Sequence, residues 1–156
     1  MPNDPPAKPS RILVPTDFSE AAEAAKMYAL MIAEGFGATL HILHVLPESG
    51  DFGEGLDAAQ MSELMEHARR GAHQRLDHLL APHERESVRA QLALEFGRPT
   101  AKIVDYARDN AIDLIVIGSH GRNAIDKWWF GSVAQGVLLR AACPVIMVRP
   151  RPEVPR

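Results

Sequence analysis

Glycine and serine residues after a buried apolar run give this sequence its clearest chemical signal. Gly118 and Gly121 follow the run 113–117, and nine residues separate Gly121 from Gly131 and Ser132. Glycines allow the backbone to approach a ligand closely and to direct N–H groups at an anion. A helix that begins at Ser132 would add free N–H donors and the positive end of its dipole. The glycines alone could serve only a turn, but with the Gly-Ser helix start they predict a phosphate-binding loop.

A second polar loop follows the first apolar run of the chain. Pro15, Thr16 and Asp17 stand directly after residues 11–14, and Ser19 has the position of a helix N-cap. Asp17 could bind a sugar hydroxyl or cap its own loop. If the protein is an enzyme, Asp17 could instead act as a general base. The two loops must come together for any of this chemistry to occur at one site.

The order of elements predicted along the chain explains how they would meet. Apolar runs alternate with helical periodicity, and this alternation is typical of an α/β fold with a parallel sheet covered by helices on both faces. We expect a single open, Rossmann-like five-stranded sheet in the order 3-2-1-4-5, whose ligand crevice lies between strands one and four. The predicted strands are 11–15, 39–46, 88–96, 113–118 and 144–148, and the predicted helices are 20–36, 58–80, 100–110 and 132–142.

Two helices carry apolar stripes that predict their buried faces, and Pro82 is predicted to end the second of them. In the first helix the stripe consists of Ala22, Ala25, Ala29, Ile32 and Ala33. In the second it consists of Met61, Leu64, Met65, Ala68, Ala72, Leu76 and Leu79.

Composition narrows the class of protein. A chain of 156 residues with 46% hydrophobic and 24% charged residues is typical of one soluble domain. A net charge of −3 disfavours binding to nucleic acid or anionic membranes, and no apolar run approaches the roughly 20 residues that span a bilayer. Cys143 is the single cysteine, so no intrachain disulfide can form. We expect a cytoplasmic protein with a disordered leader (1–10), one domain (11–149) and a flexible tail (150–156).

Several segments, in order along the chain, carry a family resemblance. They are Ile12-Leu-Val-Pro-Thr-Asp-Phe-Ser19, His44-Val45, Gly97-x-Pro99, Asp113-Leu-Ile-Val-Ile-Gly-Ser-His-Gly121 and Cys143-Pro-Val-Ile-Met-Val-Arg149. With the spacing Gly118-x2-Gly121-x9-Gly131-Ser132, they make the sequence resemble the universal stress proteins over nearly the whole domain. Members of that family that keep the glycine-serine motif bind ATP, and this chain keeps it.

The resemblance implies a nucleotide site and a dimer. The ligand would be ATP, or ADP or AMP, with Mg2+ accompanying the phosphates. Family members commonly form homodimers through the last strand, here 144–148, and can form higher oligomers. The residues that the resemblance implies are Pro15, Thr16 and Asp17 at the ribose and adenine, Val45 at the adenine, Gly118, Gly121, Arg122 and Asn123 at the sugar and phosphates, and Gly131, Ser132 and Val133 at the phosphate tail.

Two features depart from the family pattern. Trp128, Trp129 and Phe130 replace the small aliphatic pair that usually precedes the Gly-Ser step. They could pack the loop onto the domain, form a surface for a partner, or flank the nucleotide. Gly136 falls inside the last predicted helix, where glycine costs about 1 kcal/mol relative to alanine.

Other reactive side chains give weaker signals. His67, His73 and His78 share a helix, but separations of six and five residues do not bring them to one face as metal ligands. His120 could contact the ligand or orient its loop. Cys143 precedes Pro144 without an evident base, which favours a buried strand residue over a nucleophile.

The sequence is compatible with three functions. The first is a regulatory stress-response module whose state depends on bound nucleotide. The second is an enzyme, at most a slow ATPase or autophosphorylating protein, because the chain lacks a Gly-Lys-Ser/Thr P-loop and a pair of metal-binding carboxylates. The third is an adaptor that works without nucleotide, with the tryptophans as its contact surface.

Overall fold

The computed structural model describes residues 5–52, 54–119 and 131–150, in which strands alternate with helices. The strands are β1 (Arg11–Pro15), β2 (Thr39–Leu46), β3 (Gln91–Phe96), β4 (Leu114–Gly118) and β5 (Val145–Val148). The helices are α1 (Glu20–Phe36), α2 (Ala58–Asp77), α3 (Pro82–Ser87), α4 (Pro99–Asp109) and α5 (Ser132–Arg140), and a 3-10 helix covers Ser49–Phe52.

The five strands form one parallel sheet in the order β3-β2-β1-β4-β5, which confirms the predicted fold class and strand order. In the centre of the sheet Val14 pairs with Ile42 on one side, and Ile12 pairs with Leu114 on the other. The chain order therefore reverses between β1 and β4. The carboxyl ends of these two neighbouring strands open a crevice there.

Each face of the sheet has its own core. Ile12 and Val14 of β1 pack with the α1 alanines and with Leu76 of α2, whereas Leu13 between them packs against α4 and α5. Successive strand residues point to opposite faces, so a strand buried on both sides reads as a continuous apolar run. On α1, Ala25, Ala29 and Ala33 have no solvent exposure, which confirms the predicted alanine face.

A carboxylate joins the amino ends of the two central strands. Asp113, directly before β4, accepts hydrogen bonds from the Ser10 N–H at 2.8 Å and the Ser10 hydroxyl at 2.7 Å. The N–H of Arg11 lies 3.2 Å from both oxygens of the same carboxylate. Ser10 is thereby bonded to the sheet before β1 begins.

The region around Pro82 differs from the prediction. α2 already ends at Asp77, and Pro82 begins α3 instead of ending α2. Proline suits the first position of a helix because its missing N–H would have no partner there. The Glu84 carboxylate accepts a hydrogen bond from the Ala81 N–H at 2.8 Å and caps this helix. Val88 is fully buried at the end of α3, so β3 begins at Gln91 and not at residue 88.

The apolar stripe predicted for α2 is buried only near the end of the helix. Ala72 and Leu76 are buried, but Leu64 is 36% exposed. The Lys26 ammonium donates to the Leu79 carbonyl at 2.7 Å, so the chain just after α2 lies beside the second turn of α1. In the first half of α2 only Met61 and Met65 are partly buried, and the other residues are exposed.

The other predicted boundaries agree with the structure to within two residues. Among the helices of the described residues, none combines the length and apolar character required to cross a membrane.

Candidate functional site

The loop from β1 to α1 is held by its own side chains. The Thr16 N–H donates to the Leu43 carbonyl at 2.8 Å and continues the strand pairing by one residue. The Thr16 hydroxyl accepts from the Phe18 N–H at 3.0 Å, and the Asp17 carboxylate accepts from the Ser19 N–H at 2.9 Å. The Ser19 hydroxyl accepts from Ala22 N–H at 3.2 Å, which confirms the predicted N-cap. These bonds fix the direction of the loop at the carboxyl edge.

Phe18 adopts an unusual conformation within this loop. Its φ angle is +63°, in the left-handed region that bulky residues rarely occupy. Its ring lies 4.5 Å from the His44 ring, centroid to centroid, and the Arg75 guanidinium carbon lies 4.2 Å from its centroid. His44 Nδ1 lies 2.7 Å from the Thr16 carbonyl oxygen. Because a carbonyl oxygen only accepts, Nδ1 carries the proton in this bond.

Gly118 has a packing role that the phosphate-loop pattern did not predict. A β-carbon at this position would lie 2.7 Å from the backbone carbonyl carbon of Ala21 in the first turn of α1. No substitution with a side chain fits without moving that backbone. Gly118 therefore allows β4 and the start of α1 to pack closely at the crevice.

Ser119 connects the end of β4 with the beginning of α5. Its N–H donates to the Val148 carbonyl at 2.8 Å, and its carbonyl accepts from the Gly131 N–H at 2.6 Å. The chain thus leaves the sheet at Ser119 and returns beside it at Gly131. The Ser119 hydroxyl is fully buried and has no hydrogen-bond partner among the described residues. Sequence reasoning missed this serine, because a single serine after a strand has no distinguishing pattern.

The N-terminus of α5 begins after a residue that makes no side-chain cap. Gly131 is its N-cap and provides no side chain. The first intrahelical bond runs from the Gln135 N–H to the Gly131 carbonyl at 3.0 Å. The amides of Ser132, Val133 and Ala134 therefore have no carbonyl partner within the helix. Three N–H groups and the positive end of the helix dipole make this terminus suitable for an anion.

Strand order brings most of the sequence-predicted residues to one edge of the sheet. Pro15, Thr16 and Asp17 follow β1, which is the neighbour of the strand that ends at Gly118. Val45 near the end of β2 and Val133 in the first turn of α5 both pack against the core of the α4 and α5 face. The remaining predicted residues, Gly121, Arg122 and Asn123, lie outside the described residues, as do His120, Trp128, Trp129 and Phe130.

A buried histidine and tyrosine pair lies under the α4 side of the sheet. His41 on β2 is 8% exposed, and its Nδ1 lies 2.9 Å from the Tyr106 hydroxyl. Burial lowers the pKa of His41, and the nearby Arg11 cation lowers it further. Burial likewise raises the pKa of Tyr106, with a contribution from the Glu95 charge. Both shifts favour the neutral form of the side chain.

No group of three or more histidine, cysteine, aspartate or glutamate side chains is arranged to hold a metal ion within the described parts of the chain. Of the three histidines on or next to α2, His78 bonds through Nδ1 to the Gln74 carbonyl at 2.7 Å.

The parallel sheet with its crevice between β1 and β4 defines the class as an open, doubly wound α/β protein. The family model of the universal stress proteins matches residues 9–149, so the chain belongs to that family. It is similar to a universal stress protein of Methanocaldococcus jannaschii, with 30% identity over 141 residues that cover 89% of this chain and 81% of the relative.

Solved structures agree with this family. The universal stress protein UspA from Lactobacillus plantarum has a TM-score of 0.74 and 32% identity, covering 92% of this chain and 100% of that one. A universal stress protein from Archaeoglobus fulgidus, solved in complex with dAMP, has a TM-score of 0.58 and 25% identity, covering 91% of this chain and 99% of that one.

Proposed function

We propose that this chain binds ATP or a related adenine nucleotide at the carboxyl edge between β1 and β4, and that bound nucleotide regulates its role in a stress response. The observation that carries the proposal is that the Asp17 loop and a helix N-terminus without a side-chain cap both follow central strands whose chain order reverses, so that they lie at one edge of the sheet. The complex of the Archaeoglobus fulgidus relative with dAMP supports an adenine nucleotide as the ligand.

The phosphates would bind at the beginning of α5. The amides of Ser132 and Val133 offer donors, and Gly131 leaves room because it has no side chain. The buried Ser119 hydroxyl beside Gly131 has no partner among the described residues, and it supports this assignment because a buried polar group without a hydrogen bond is costly and a ligand would supply one. Gly118, Gly121, Arg122 and Asn123 would surround the sugar and phosphates, with Mg2+ arriving on the nucleotide.

The nucleoside would bind at the β1 side of the crevice. Asp17 would accept hydrogen bonds from ribose hydroxyls. Pro15, Thr16 and Val45 would border the adenine.

The proposal is tested by identifying nucleotide in the purified protein. Denatured protein is analysed by chromatography and mass spectrometry, and emptied protein is titrated with Mg-ATP by calorimetry. Ser132→Glu places a negative charge where the phosphates would lie, and it favours the helix dipole, so the fold should persist. Gln135→Glu adds the same charge one turn further along α5 and is the matched control.

We expect nucleotide in the wild type and in Gln135→Glu but not in Ser132→Glu. A wild-type protein that carries no nucleotide, and gains no thermal stability from millimolar Mg-ATP, would contradict the proposal. If Ser132→Glu binds nucleotide as tightly as the wild type, the phosphates do not bind at the N-terminus of α5.

We also propose a homodimer through the last strand, 144–148. β5 lies at the edge of the sheet, so its outer N–H and C=O groups have no strand partner within the described chain. Ile146 is 40% exposed on β5, and Leu138 and Leu139 of the neighbouring α5 are 48% and 77% exposed. An apolar edge strand invites pairing with another chain, and a symmetric dimer covers it.

A further inference from the structure

The conformation of Phe18 requires support from other elements. A phenylalanine with a φ of +63° is strained, and such strain persists only where the surroundings determine it. Phe18 stands between Asp17 and Ser19, the two residues joined by the 2.9 Å bond from the Ser19 N–H to the carboxylate. Because this bond spans Phe18, a change in the backbone conformation of Phe18 would alter the position of the Asp17 carboxylate.

Two side chains from distant parts of the sequence hold the Phe18 ring. His44 on β2 contacts it with a centroid distance of 4.5 Å and an interplanar angle of 46°. The Arg75 guanidinium carbon lies over the ring, 4.2 Å from its centroid. A guanidinium at this distance is attracted by the negative face of the ring. Phe18 thus links the Asp17 loop to both the sheet and α2.

Arg75 is well placed to act as a fixed support. Leu76 next to it is 2% exposed, and Ala72 one turn earlier is also buried, so this part of α2 is anchored in the core. The bond from the Lys26 ammonium to the Leu79 carbonyl joins the following residues to α1. The first half of α2, in contrast, is mostly exposed.

We propose that Arg75 is a positioning residue for the nucleotide site: by holding Phe18 it keeps the Asp17 loop in its binding conformation and couples α2 to nucleotide binding. This inference rests on the proposed function for its ligand. Arg75 acts through Phe18 and not by contact with phosphate. The coupling is reciprocal: nucleotide that orders the Asp17 loop also stabilises the position of α2. The factor by which each equilibrium changes the other is the same.

The test removes the guanidinium and keeps the length of the side chain. Arg75→Met is compared with Arg75→Lys, which restores a cation, and with Arg70→Met, which changes an exposed arginine on the same helix.

Affinities are measured by calorimetry for adenosine, AMP, ADP and ATP. We expect Arg75→Met to weaken all four by a similar factor, about two- to fivefold for a cation–π contact at a partly exposed site. Arg75→Lys should recover part of the loss, and Arg70→Met should show none.

A loss that increases from adenosine to ATP would overturn the proposal, because it would mean that Arg75 contacts the phosphates directly. Unchanged affinities in Arg75→Met would also overturn it.

A second measurement needs no ligand. Hydrogen exchange of the Ser19 amide, followed by NMR in the nucleotide-free protein, reports the bond to Asp17. We expect faster exchange in Arg75→Met, by about the same factor, and wild-type exchange in Arg70→Met. If the wild type binds no nucleotide, the proposed function fails, and this exchange alone decides whether Arg75 holds the loop. If the wild type binds nucleotide but Ser19 exchange is unchanged in Arg75→Met, only the role of Arg75 fails.

Discussion

Gly118 and Ala21 lie so close that a β-carbon on the glycine would come within 2.7 Å of the alanine's backbone. The contact joins the end of β4 to the first turn of α1, at the edge where both candidate loops begin. Because the obstructing atoms belong to backbone, they cannot move aside as the end of a flexible side chain would.

We therefore expect Gly118→Ala to lower the free energy of unfolding by about 1–3 kcal/mol, as overpacking of a core does. Gly71→Ala on α2 is the matched control, because a β-carbon there meets nothing within 4 Å. It should raise stability by about 0.5–1 kcal/mol through helix propensity. Urea denaturation of both variants checks the pair. Equal stability of Gly118→Ala and the wild type would show that the contact relaxes easily.

Gly136 is predicted to be needed for contact between α4 and α5. A β-carbon there would lie 2.7 Å from Thr100 Cγ2, and the branched side chain of threonine has few alternative rotamers. We expect Gly136→Ala to destabilise the fold by up to about 2 kcal/mol, since overpacking outweighs the gain in helix propensity. Adding Thr100→Ala should recover stability in the double mutant. Strictly additive effects in this cycle would mean that the two residues do not interact.

Stability should depend on pH through His41. The pKa of this histidine is lowered in the fold, chiefly by burial and then by Arg11. The unfolded chain binds a proton near the ordinary value of 6.5, while the folded chain resists it. The contribution of His41 is therefore present above pH 6.5 and is lost as the pH falls below it.

His41→Gln, which stays neutral, should flatten the decrease in the free energy of unfolding between about pH 6.5 and 5. Urea denaturation across this range measures the slope. His67→Gln on the exposed side of α2 is the control and should keep the wild-type slope. A wild-type slope in His41→Gln would exclude His41 as its source.

Cys143 should react slowly with alkylating reagents. Burial raises the pKa of its thiol, and the Asp113 charge adds to the effect. Because the thiolate is the nucleophile, iodoacetamide at pH 8 should label the native protein more slowly than the urea-unfolded chain. The native rate should continue to rise above pH 9. Equal rates in both states would indicate an accessible, activated thiol and would revive its interpretation as a nucleophile.

The proposed dimer predicts that Ile146→Lys gives a monomer. A lysine at this exposed position on β5 would place a charge in the apolar interface without disturbing the core. Sedimentation equilibrium measures the mass of the variant and of the wild type. Leu64→Lys, an equally simple change on the exposed half of α2, should remain a dimer. A monomeric wild type at micromolar concentrations would contradict the proposal.

The fold followed from the sequence where local pattern decides the structure. The unbroken apolar run before Gly118 and the alanine face of α1 both predicted what the structure contains. Pro82 did not predict the observed helix boundaries, because proline suits both the end of one helix and the first position of the next. The capping bond from Ala81 to Glu84, which decides between them, depends on the fold around it.

The candidate site could be predicted only in part for a related reason. The spacing of glycines and the order of strands indicated an edge and a ligand class. Spacing could not indicate that Arg75 would reach Phe18, since the two lie 57 positions apart in the sequence and only the fold, which puts α1 and α2 on the same core, brings them together.

The bond between Ser10 and Asp113 also bears on how the chain is made. Ser10 and Asp113, which directly precede the two central strands, are 103 residues apart in the sequence. β1 therefore cannot pair with β4 until most of the protein has been synthesised. At roughly 5–20 residues per second, this interval is about 5–20 s on the ribosome. During that time β1 has no neighbour on the side that β4 will cover. The emerging chain exposes an apolar strand edge to chaperones and to other nascent chains, long before its own strand can cover it.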